Sequence, residues 1–439
     1  MSQQAAATAH RGGAVRSLIS ENAVAAGAAA VALLVMAWLG LYGWAWTDWD
    51  NEARPAVDAL LAGHVARFLQ LAPAYGGSLI LRAPFVFATT LWHGGQLAIY
   101  RASAAPCLIA TGALGVWLCA RMRATGRSTW ARAITLALCV GNPLTLSALE
   151  LGHPEELLGA VLCIAAVVCA MDGRSTWAAV LLGLAMANKE WAVLAIGPVL
   201  VALPGRRVRT LVIAGAVAGI VLAPLIIDAS GGFVGQTAAT GLSTGSIFQP
   251  WQLWWFLGSH AHMVRGQDGN IKVGYRVPPA LLGSLGHILI IAIMPPLSLL
   301  YAGMRRRLAR PAPNGALLLL ALLLALRCVL DPWDISYYSL PFLLALVTWE
   351  SLSFDRPPAL ALSGAFVAWL IFERTSITLS ADMQALIFAV VSVPAVLALM
   401  MALYAPGVTG LLTRRLPRRP PVAPQSWPAA RTPEAGIGT

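Results

Sequence analysis

The sequence predicts an all-α, polytopic bundle of membrane-spanning helices. Hydrophobic residues make up 58% of the 439-residue chain and charged residues only 11%, whereas a typical soluble domain is about 25% charged. The mean hydropathy is +0.71. Apolar runs alternate with short polar segments along the chain, and about 20 apolar residues suffice to cross the hydrocarbon core of a membrane. These observations exclude a soluble globular fold.

About twelve transmembrane helices are expected when shorter apolar runs, which can pair inside a bundle, are counted as well. A polar stretch precedes the first run, so we expect an uncleaved first span instead of a signal peptide. The predicted helices lie near residues 24–45, 103–121, 130–148, 155–171, 176–188, 190–203, 210–227, 279–301, 315–330, 336–350, 358–373 and 384–404.

Arginine clusters indicate which helix ends face the cytoplasm. The net charge is +11, but the arginines are grouped between apolar runs, which is typical of cytoplasmic loops and does not indicate a nucleic-acid partner. The clusters lie at 121–132, 206–209, 305–310 and 414–419. We therefore expect a multi-pass plasma-membrane protein surrounded by lipid, with both termini in the cytoplasm.

A single transmembrane domain is expected over residues 1–413. The segments 46–102 and 228–278 are too long and too polar for plain connectors, and they are predicted to be external loops that carry short helices. In the first loop these helices are predicted to be amphipathic or re-entrant, because an apolar stretch surrounds Arg82. Residues 414–439 are rich in Pro, Arg and Ala, which predicts a disordered cytoplasmic tail.

The six cysteines are predicted to be core residues. Each lies inside an apolar segment, and no pair has the CxxC spacing. Neither a disulfide framework nor a metal site is therefore indicated. His260 and His262 lack a carboxylate at a helical metal-binding spacing, so no zinc site is predicted there.

The polar segment directly after the first apolar run is rich in carboxylates. Within TDWDNEARPAVDALLAG it carries Asp48, Asp50, Glu52 and Asp58. A carboxylate at the point where a helix leaves the bilayer is partly desolvated and can remove a proton from a hydroxyl group as a general base. The alternative is that these residues only hydrate the loop. Asp48 and Asp50 are the candidate catalytic residues.

Short motifs follow this loop in a defined order. They are Ala59-Leu60-Leu61-Ala62-Gly63, Tyr75, Pro84-Phe85, Gly152-His153-Pro154-Glu155-Glu156, Gly183-Leu184-Ala185 and Lys189. Together with the loop aspartate, they resemble the GT-C glycosyltransferases over roughly residues 45–260, in particular the polyprenol-phosphate-mannose-dependent mannosyltransferases (family 87-like). One departure is that no aromatic residue soon follows the loop aspartate, between Asn51 and Pro55.

The resemblance implies a GT-C-like fold and transfer of a sugar, mannose or another hexose or pentose, from a polyprenyl-phosphate sugar. The acceptor would be a cell-envelope glycolipid or glycan on the external face, and a first-loop aspartate would be the general base. The spacing to Gly63 ranks Asp48 before Asp50. Lys and Arg side chains can stabilise the single donor phosphate, so no cofactor is expected. The DxD pattern of Asp48-Trp49-Asp50 makes a divalent metal the less favoured alternative.

Charged and aromatic residues elsewhere are predicted to bind the substrates. Lys189 lies between two short apolar halves, where an ionisable group is expensive and usually functional; it is a candidate phosphate ligand, and an ion pair with Glu190 is the alternative. Arg327 is predicted to belong to a phosphate or sugar site, or to pair with an aspartate at the interface. The candidate substrate-binding residues are Glu52, Arg82, His153, Glu155, Glu156, Lys189, Glu190, Trp251, Arg327, Asp331, Asp334 and Tyr337.

For two of these groups, a purely structural role is the alternative to substrate binding. Glu155 and Glu156 follow Pro154 in the first turn of a predicted helix, where acids suit the helix dipole without any function. Trp251 can belong to an aromatic belt at the membrane surface. A transporter or lipid-linked-sugar flippase is the competing function, because intramembrane charges often mark transport paths; against it, most charges lie at outer helix ends.

Overall fold

The computed structural model describes residues 22–39, 48–227, 248–260, 263–265, 271–308 and 312–407, together with residues 233, 235 and 237. Seven helices in these ranges are long and apolar enough to cross a membrane. The chain is therefore a multi-pass helical membrane protein, and the figure of about twelve spans stays a prediction. The tail at 414–439 lies outside the described residues.

The helices follow one another closely along the chain. In order, they are α1 (Asn22–Leu39), α2 (Arg54–Leu61), α3 (Val65–Leu71), α4 (Gly76–Ala88), α5 (Gln96–Ala124), α6 (Thr129–Val140), α7 (Pro143–Glu150), α8 (Glu155–Met171), α9 (Ser175–Asn188), α10 (Ile196–Ala202), α11 (Arg207–Ile227), α12 (Ala280–Arg307), α13 (Gly315–Leu330), α14 (Ser339–Ser353), α15 (Ala359–Trp369), α16 (Ser376–Thr378) and α17 (Ala381–Tyr404). Short 3₁₀ or π turns lie at Trp49–Ala53, Thr89–Trp92, Glu190–Ala195, Trp255–Leu257, Ser336–Tyr338 and Leu370–Thr375.

One predicted boundary is wrong, and one predicted span contains a break. Helix α5 begins at Gln96, inside the segment predicted as external loop, because the left-handed turn at His93 already ends the preceding element. The predicted span 130–148 lies within Thr129–Leu151, which is long and apolar enough to cross a membrane, but it is divided into α6 and α7. Asn142 caps α7 by accepting a hydrogen bond from the backbone N–H of Leu144 at 3.1 Å, and Pro143 occupies the first helical position, as is usual at helix starts.

Helices α13 and α14 form the centre of the bundle. Nearly every residue of both is buried, which follows from sequences that are apolar on all sides. Outer helices such as α11, α12 and α17 instead expose large apolar side chains, including Ile220, Leu299 and Val390. Such surfaces suit a lipid environment.

A polar break separates α9 from the turn that leads into α10. Helix α9 ends at Asn188, and Lys189 adopts an extended conformation with φ −155° and ψ 138°. With 14 residues and about 1.5 Å of rise per residue, α9 is about 21 Å long and shorter than the hydrocarbon core of a membrane. As predicted from the sequence, two short helices therefore meet at Lys189.

The segment 228–278, predicted as the second external loop, departs from the predicted all-α pattern. Its described part contains four short antiparallel strands, with β1 (Ser259–His260) paired to β4 (Arg276–Val277) and β2 (Met263–Arg265) paired to β3 (Ile271–Val273). Arg276 donates to both oxygens of Asp382 at 2.9 and 3.0 Å, which ties this ribbon to the start of α17.

The arginine clusters at 121–132, 206–209 and 305–307 lie at one end of the described bundle. Arg121 donates to Asp172 at 3.1 Å, just beyond the C-terminus of α8. Glu155 begins the same helix, so it lies at the opposite end. Arg327, in the last turn of α13, lies at that opposite end too, since Asn314 before α13 contacts Ser353 on the arginine side.

Cysteine labelling tests this polarity. In a chain whose six cysteines are replaced by alanine, we expect His64→Cys to react with a membrane-impermeant maleimide on intact cells. Ala124→Cys, which is also exposed, is expected to react only after permeabilisation, because it lies within the arginine cluster at 121–132 that is predicted to face the cytoplasm. Labelling of position 124 and protection of position 64 on intact cells would contradict the predicted orientation.

Candidate functional site

A cavity of about 730 Å³ lies at the end of the bundle opposite the arginine clusters. This volume is in the usual range for small-molecule sites, about 300–1,000 Å³. The cavity lies between residues 48–75, the break at Lys189, the first half of α12 and the segment after α13. The predicted site residues that line it are Asp48, Glu52, His153, Lys189, Glu190, Arg327, Asp331 and Tyr337.

The other predicted residues do not line this cavity. The carboxylate of Asp50 instead accepts from Arg54 at 2.9 Å, and both side chains are about 40% exposed. Trp251 packs on Phe372, with ring centroids 5.0 Å apart. The remaining members lie behind the cavity wall and are buried: Arg82, Glu155, Glu156 and Asp334.

Asp48 is held at the cavity by the residue that follows it. The Trp49 side chain is fully buried and lies 4.7 Å from the ring of Tyr100. Gly152 packs against the backbone of Trp49, with φ +90°, and a Cβ at this position would lie 2.5 Å from the Trp49 nitrogen. The π-helical turn at Trp49–Ala53 is of a kind that is frequent at functional sites.

Replacing Gly152 with alanine tests this contact. We expect Gly152→Ala to lower the free energy of unfolding by more than the 1–3 kcal/mol or so of left-handed backbone strain, since the new Cβ also meets Trp49. Gly173→Ala is the matched control, because Gly173 has φ +75° and open space around it. Equal losses in both variants, measured by detergent unfolding followed by tryptophan fluorescence, would contradict the proposed contact.

His153 connects two carboxylates. Its Nε2 lies 3.1 Å from Asp48 Oδ2, and its Nδ1 lies 2.7 Å from Glu155 Oε1. The imidazole also stacks on Tyr337 at 4.7 Å and meets the edge of Tyr75 at 5.4 Å. A ring with a carboxylate at each nitrogen is best satisfied when both nitrogens carry protons.

The charge of His153 follows from its neighbours. Burial lowers the pKa of His153, but the charge of Glu155 and the hydrogen bonds of Asp48 and Glu155 outweigh it, and the pKa rises from 6.5 to about 9. The imidazole is therefore charged at neutral pH. Its contribution to stability is complete below pH 6.5 and is lost as the pH rises through about 9.

Glu155 lies at the centre of a buried group of ions. Its side chain is fully buried at the start of α8, where the helix dipole favours an anion. Lys189 Nζ lies 3.0 Å from Oε1, and Arg82 Nη2 lies 3.6 Å from Oε2. Asn188 donates to the backbone oxygen of Glu155 at 2.9 Å and accepts from Ser78 at 2.7 Å.

Glu156 joins the two cations that line the cavity. Its Oε2 lies 3.4 Å from Arg327 Nη1 and its Oε1 lies 3.6 Å from Lys189 Nζ. The Arg327 guanidinium also lies over the ring of Tyr338 at 4.1 Å, a favourable cation–π contact. The alternatives of a Lys189–Glu190 pair and of an Arg327–aspartate pair are therefore not what the contacts show, since both cations approach Glu156.

The buried ions that are joined by direct ion pairs include more cations than anions. We use the name ion cluster for Arg82, Glu155, Glu156, Lys189 and Arg327. Three cations face two anions in this cluster, and the buried carboxylate of Asp331 also acts on Arg327. Two of the cations, Lys189 and Arg327, line the cavity. An anion that enters the cavity would therefore meet these two cations.

Asp331 and Asp334 have different environments. Asp331 lines the cavity, contacts Nε2 of His287 at 3.3 Å and accepts from the Trp333 backbone at 2.9 Å. Asp334 is fully buried, and no hydrogen bond to its carboxylate oxygens is present among the described residues. Burial and the nearby charge of Asp331 hold the pKa of Asp334 well above its ordinary value. This shift favours the neutral form of Asp334, which lies behind the cavity wall.

Several cavity residues were not predicted as ligands. Tyr75, whose ring lies 4.4 Å from Lys189 Nζ, entered only through the family resemblance. His287 lies inside an apolar run, and an ionisable residue there is a usable signal. For Trp191 and Tyr338, the sequence contains no feature that predicts ligand binding, apart from their aromatic side chains. In the ranges that the structure describes, no group of three or more His, Cys, Asp or Glu side chains is arranged to hold a metal ion.

Comparisons of this chain with protein-family models, curated proteins and solved structures found no match. Any function must therefore be inferred from the chemistry of the cavity.

Proposed function

We propose that this protein is a GT-C-type membrane glycosyltransferase that moves a sugar, mannose or another hexose or pentose, from a polyprenyl-phosphate sugar to a glycolipid or glycan acceptor on the external face. The observation that carries the proposal is that Asp48, Lys189 and Arg327 line one cavity. A base and a phosphate site are the two groups that this transfer needs.

The reaction is a single displacement. The acceptor hydroxyl oxygen attacks the anomeric carbon and its proton passes to the Asp48 carboxylate, while the bond from the anomeric carbon to the phosphate oxygen breaks. Polyprenyl phosphate leaves with the bonding electrons, and the anomeric configuration inverts. Asp50 is not suited to this role, because it pairs with Arg54 outside the cavity.

The leaving phosphate gains a negative charge as the bond breaks. The positive charges of Lys189 and Arg327, which line the cavity, favour that charge where it develops. The prenyl chain of the donor needs an apolar surface. Leu71, Leu194 and Ile291 also line the cavity and can provide it. No metal is needed for a donor with one phosphate in this scheme.

The decisive experiment uses the purified protein in lipid vesicles with radiolabelled polyprenyl-phosphate sugars, mannose first, and membrane extracts as acceptor. A new glycosidic bond, detected by lipid chromatography and unaffected by a chelator, is the expected result. Movement of the donor from one leaflet of the vesicle membrane to the other, without formation of a glycosidic bond, would instead identify a flippase. Activity lost in the chelator and restored by a divalent cation would overturn the metal-free scheme.

A further inference from the structure

One atom connects the two halves of the proposed reaction. Glu155 Oε1 lies 2.7 Å from His153 Nδ1 and 3.0 Å from Lys189 Nζ. His153 in turn contacts Asp48 at 3.1 Å, and Lys189 lines the cavity. The continuous path from the base carboxylate to the phosphate-binding ammonium therefore passes through a single buried oxygen.

Neighbouring groups fix Glu155 in place. Its carboxylate is fully buried, its other oxygen faces Arg82 at 3.6 Å, and its backbone oxygen accepts from Asn188 at 2.9 Å. Gly77 lets α4 approach the end of α9 so closely that a Cβ would lie 2.0 Å from the Ala187 oxygen. A rigidly held carboxylate can orient two partners at once, which a flexible surface residue cannot do.

We propose that Glu155 is a positioning residue that holds His153 against Asp48 and Lys189 at the cavity, so that the proton acceptor and the phosphate site are set by the same group. This inference rests on the proposed function for its catalytic consequence. It differs from the direct substrate binding expected from the sequence, because Glu155 does not line the cavity.

Glu156 provides a matched comparison. It is the next residue, it is equally buried, and it contacts Lys189 and Arg327. Among the described residues its side chain makes no hydrogen bond or ion pair with His153; only its backbone N–H donates to the His153 carbonyl oxygen, at 3.4 Å. Glu155→Gln and Glu156→Gln therefore make the same chemical change on the two sides of the cluster, and only the first should affect the histidine.

The first measurement does not depend on activity. Histidine-labelled protein in lipid nanodiscs is titrated by NMR, and the His153 signal is assigned with His153→Asn. The charged and titratable groups facing His153 are Asp48, Tyr75, Glu155, Lys189 and Tyr337. In the wild type we expect His153 to lose its proton near pH 9. Glu155→Gln should lower that midpoint by about one pH unit or more, whereas Glu156→Gln should leave it unchanged.

The second measurement is transfer as a function of pH. A displaced base lowers the rate by about 10²-fold, so Glu155→Gln should mainly lower kcat and move the alkaline loss of activity to lower pH. Glu156→Gln should mainly raise the donor KM and keep the wild-type alkaline limit. If the wild type transfers no sugar, the proposed function fails, while the NMR titration still decides whether Glu155 positions His153.

Folding is controlled with a second variant. Arg82→Met/Glu155→Gln removes an anion and its cation together, which a buried site tolerates better than the loss of one partner. The proposal predicts the same lowered His153 midpoint in this double variant. A His153 midpoint unchanged by Glu155→Gln or by the double variant would overturn it. A titration midpoint of His153 near pH 6.5 in the wild type would also overturn the proposal.

Discussion

Asp48→Asn is expected to lower sugar transfer by about 10²–10⁴-fold, the usual contribution of a general base. The asparagine amide keeps the size of the side chain and a hydrogen-bonding oxygen for His153, but it does not accept the acceptor's proton. The loss should therefore fall on kcat, with the donor KM changed little. The measurement is the initial rate of formation of labelled product in vesicles.

Asp50→Asn is the matched control for this variant. The two aspartates share the same loop, yet Asp50 pairs with Arg54 and is about 40% exposed. We expect its transfer rate to stay within about threefold of the wild type, because a surface ion pair contributes about 0–1 kcal/mol. A large loss in Asp50→Asn together with full activity in Asp48→Asn would reverse the assignment of the base.

Lys189→Met is expected to have two large effects. It removes the shared partner of Glu155 and Glu156, and leaving buried charges unpaired costs about 3–5 kcal/mol of unfolding free energy. It also removes a charge from the phosphate site, which should lower transfer by about 10²–10³-fold. Unfolding in dodecyl sulfate, followed by tryptophan fluorescence, measures the first effect and the vesicle assay measures the second.

A double variant separates the two effects of Lys189→Met. Lys189→Met/Glu156→Gln removes one cation and one anion, so part of the lost stability should return, while transfer stays low because the phosphate ligand is still missing. Arg67→Met, at an exposed position of α3, is the control for removing a cation and should change stability by less than about 1 kcal/mol. Recovery of transfer in the double variant would show that Lys189 acts only through folding.

Much of the fold follows from elementary patterns in the sequence. Long apolar runs set the helices, and the isolated Lys189 marks the break between α9 and α10. The start of α5 was misplaced because Gln96 and Arg101 give its first turns a polar character that resembles a loop. The strands at 259–277 could not be predicted from the sequence, because strands of two or three residues are too short to show a periodic pattern.

The site was predictable as a set of residues but not as an arrangement. An ionisable residue between apolar halves is costly, and this alone singled out Lys189. Nothing local could show that Lys189 pairs with Glu155 instead of the adjacent Glu190, because that pairing depends on how α8 packs on α9. Likewise, the choice between Asp48 and Asp50 depends on Gly152, which lies 104 positions beyond Asp48 in the chain and fits under Trp49.

The positions of the buried ions on their helices have a consequence for binding. Glu155 and Glu156 occupy the first turn of α8 and Arg327 the last turn of α13, so each charge has the sign that its helix end favours. The electrostatic pattern is thereby preorganised in the empty protein. In the proposed reaction, the leaving phosphate would therefore meet charges that are already oriented, so little of their stabilisation is lost to rearrangement.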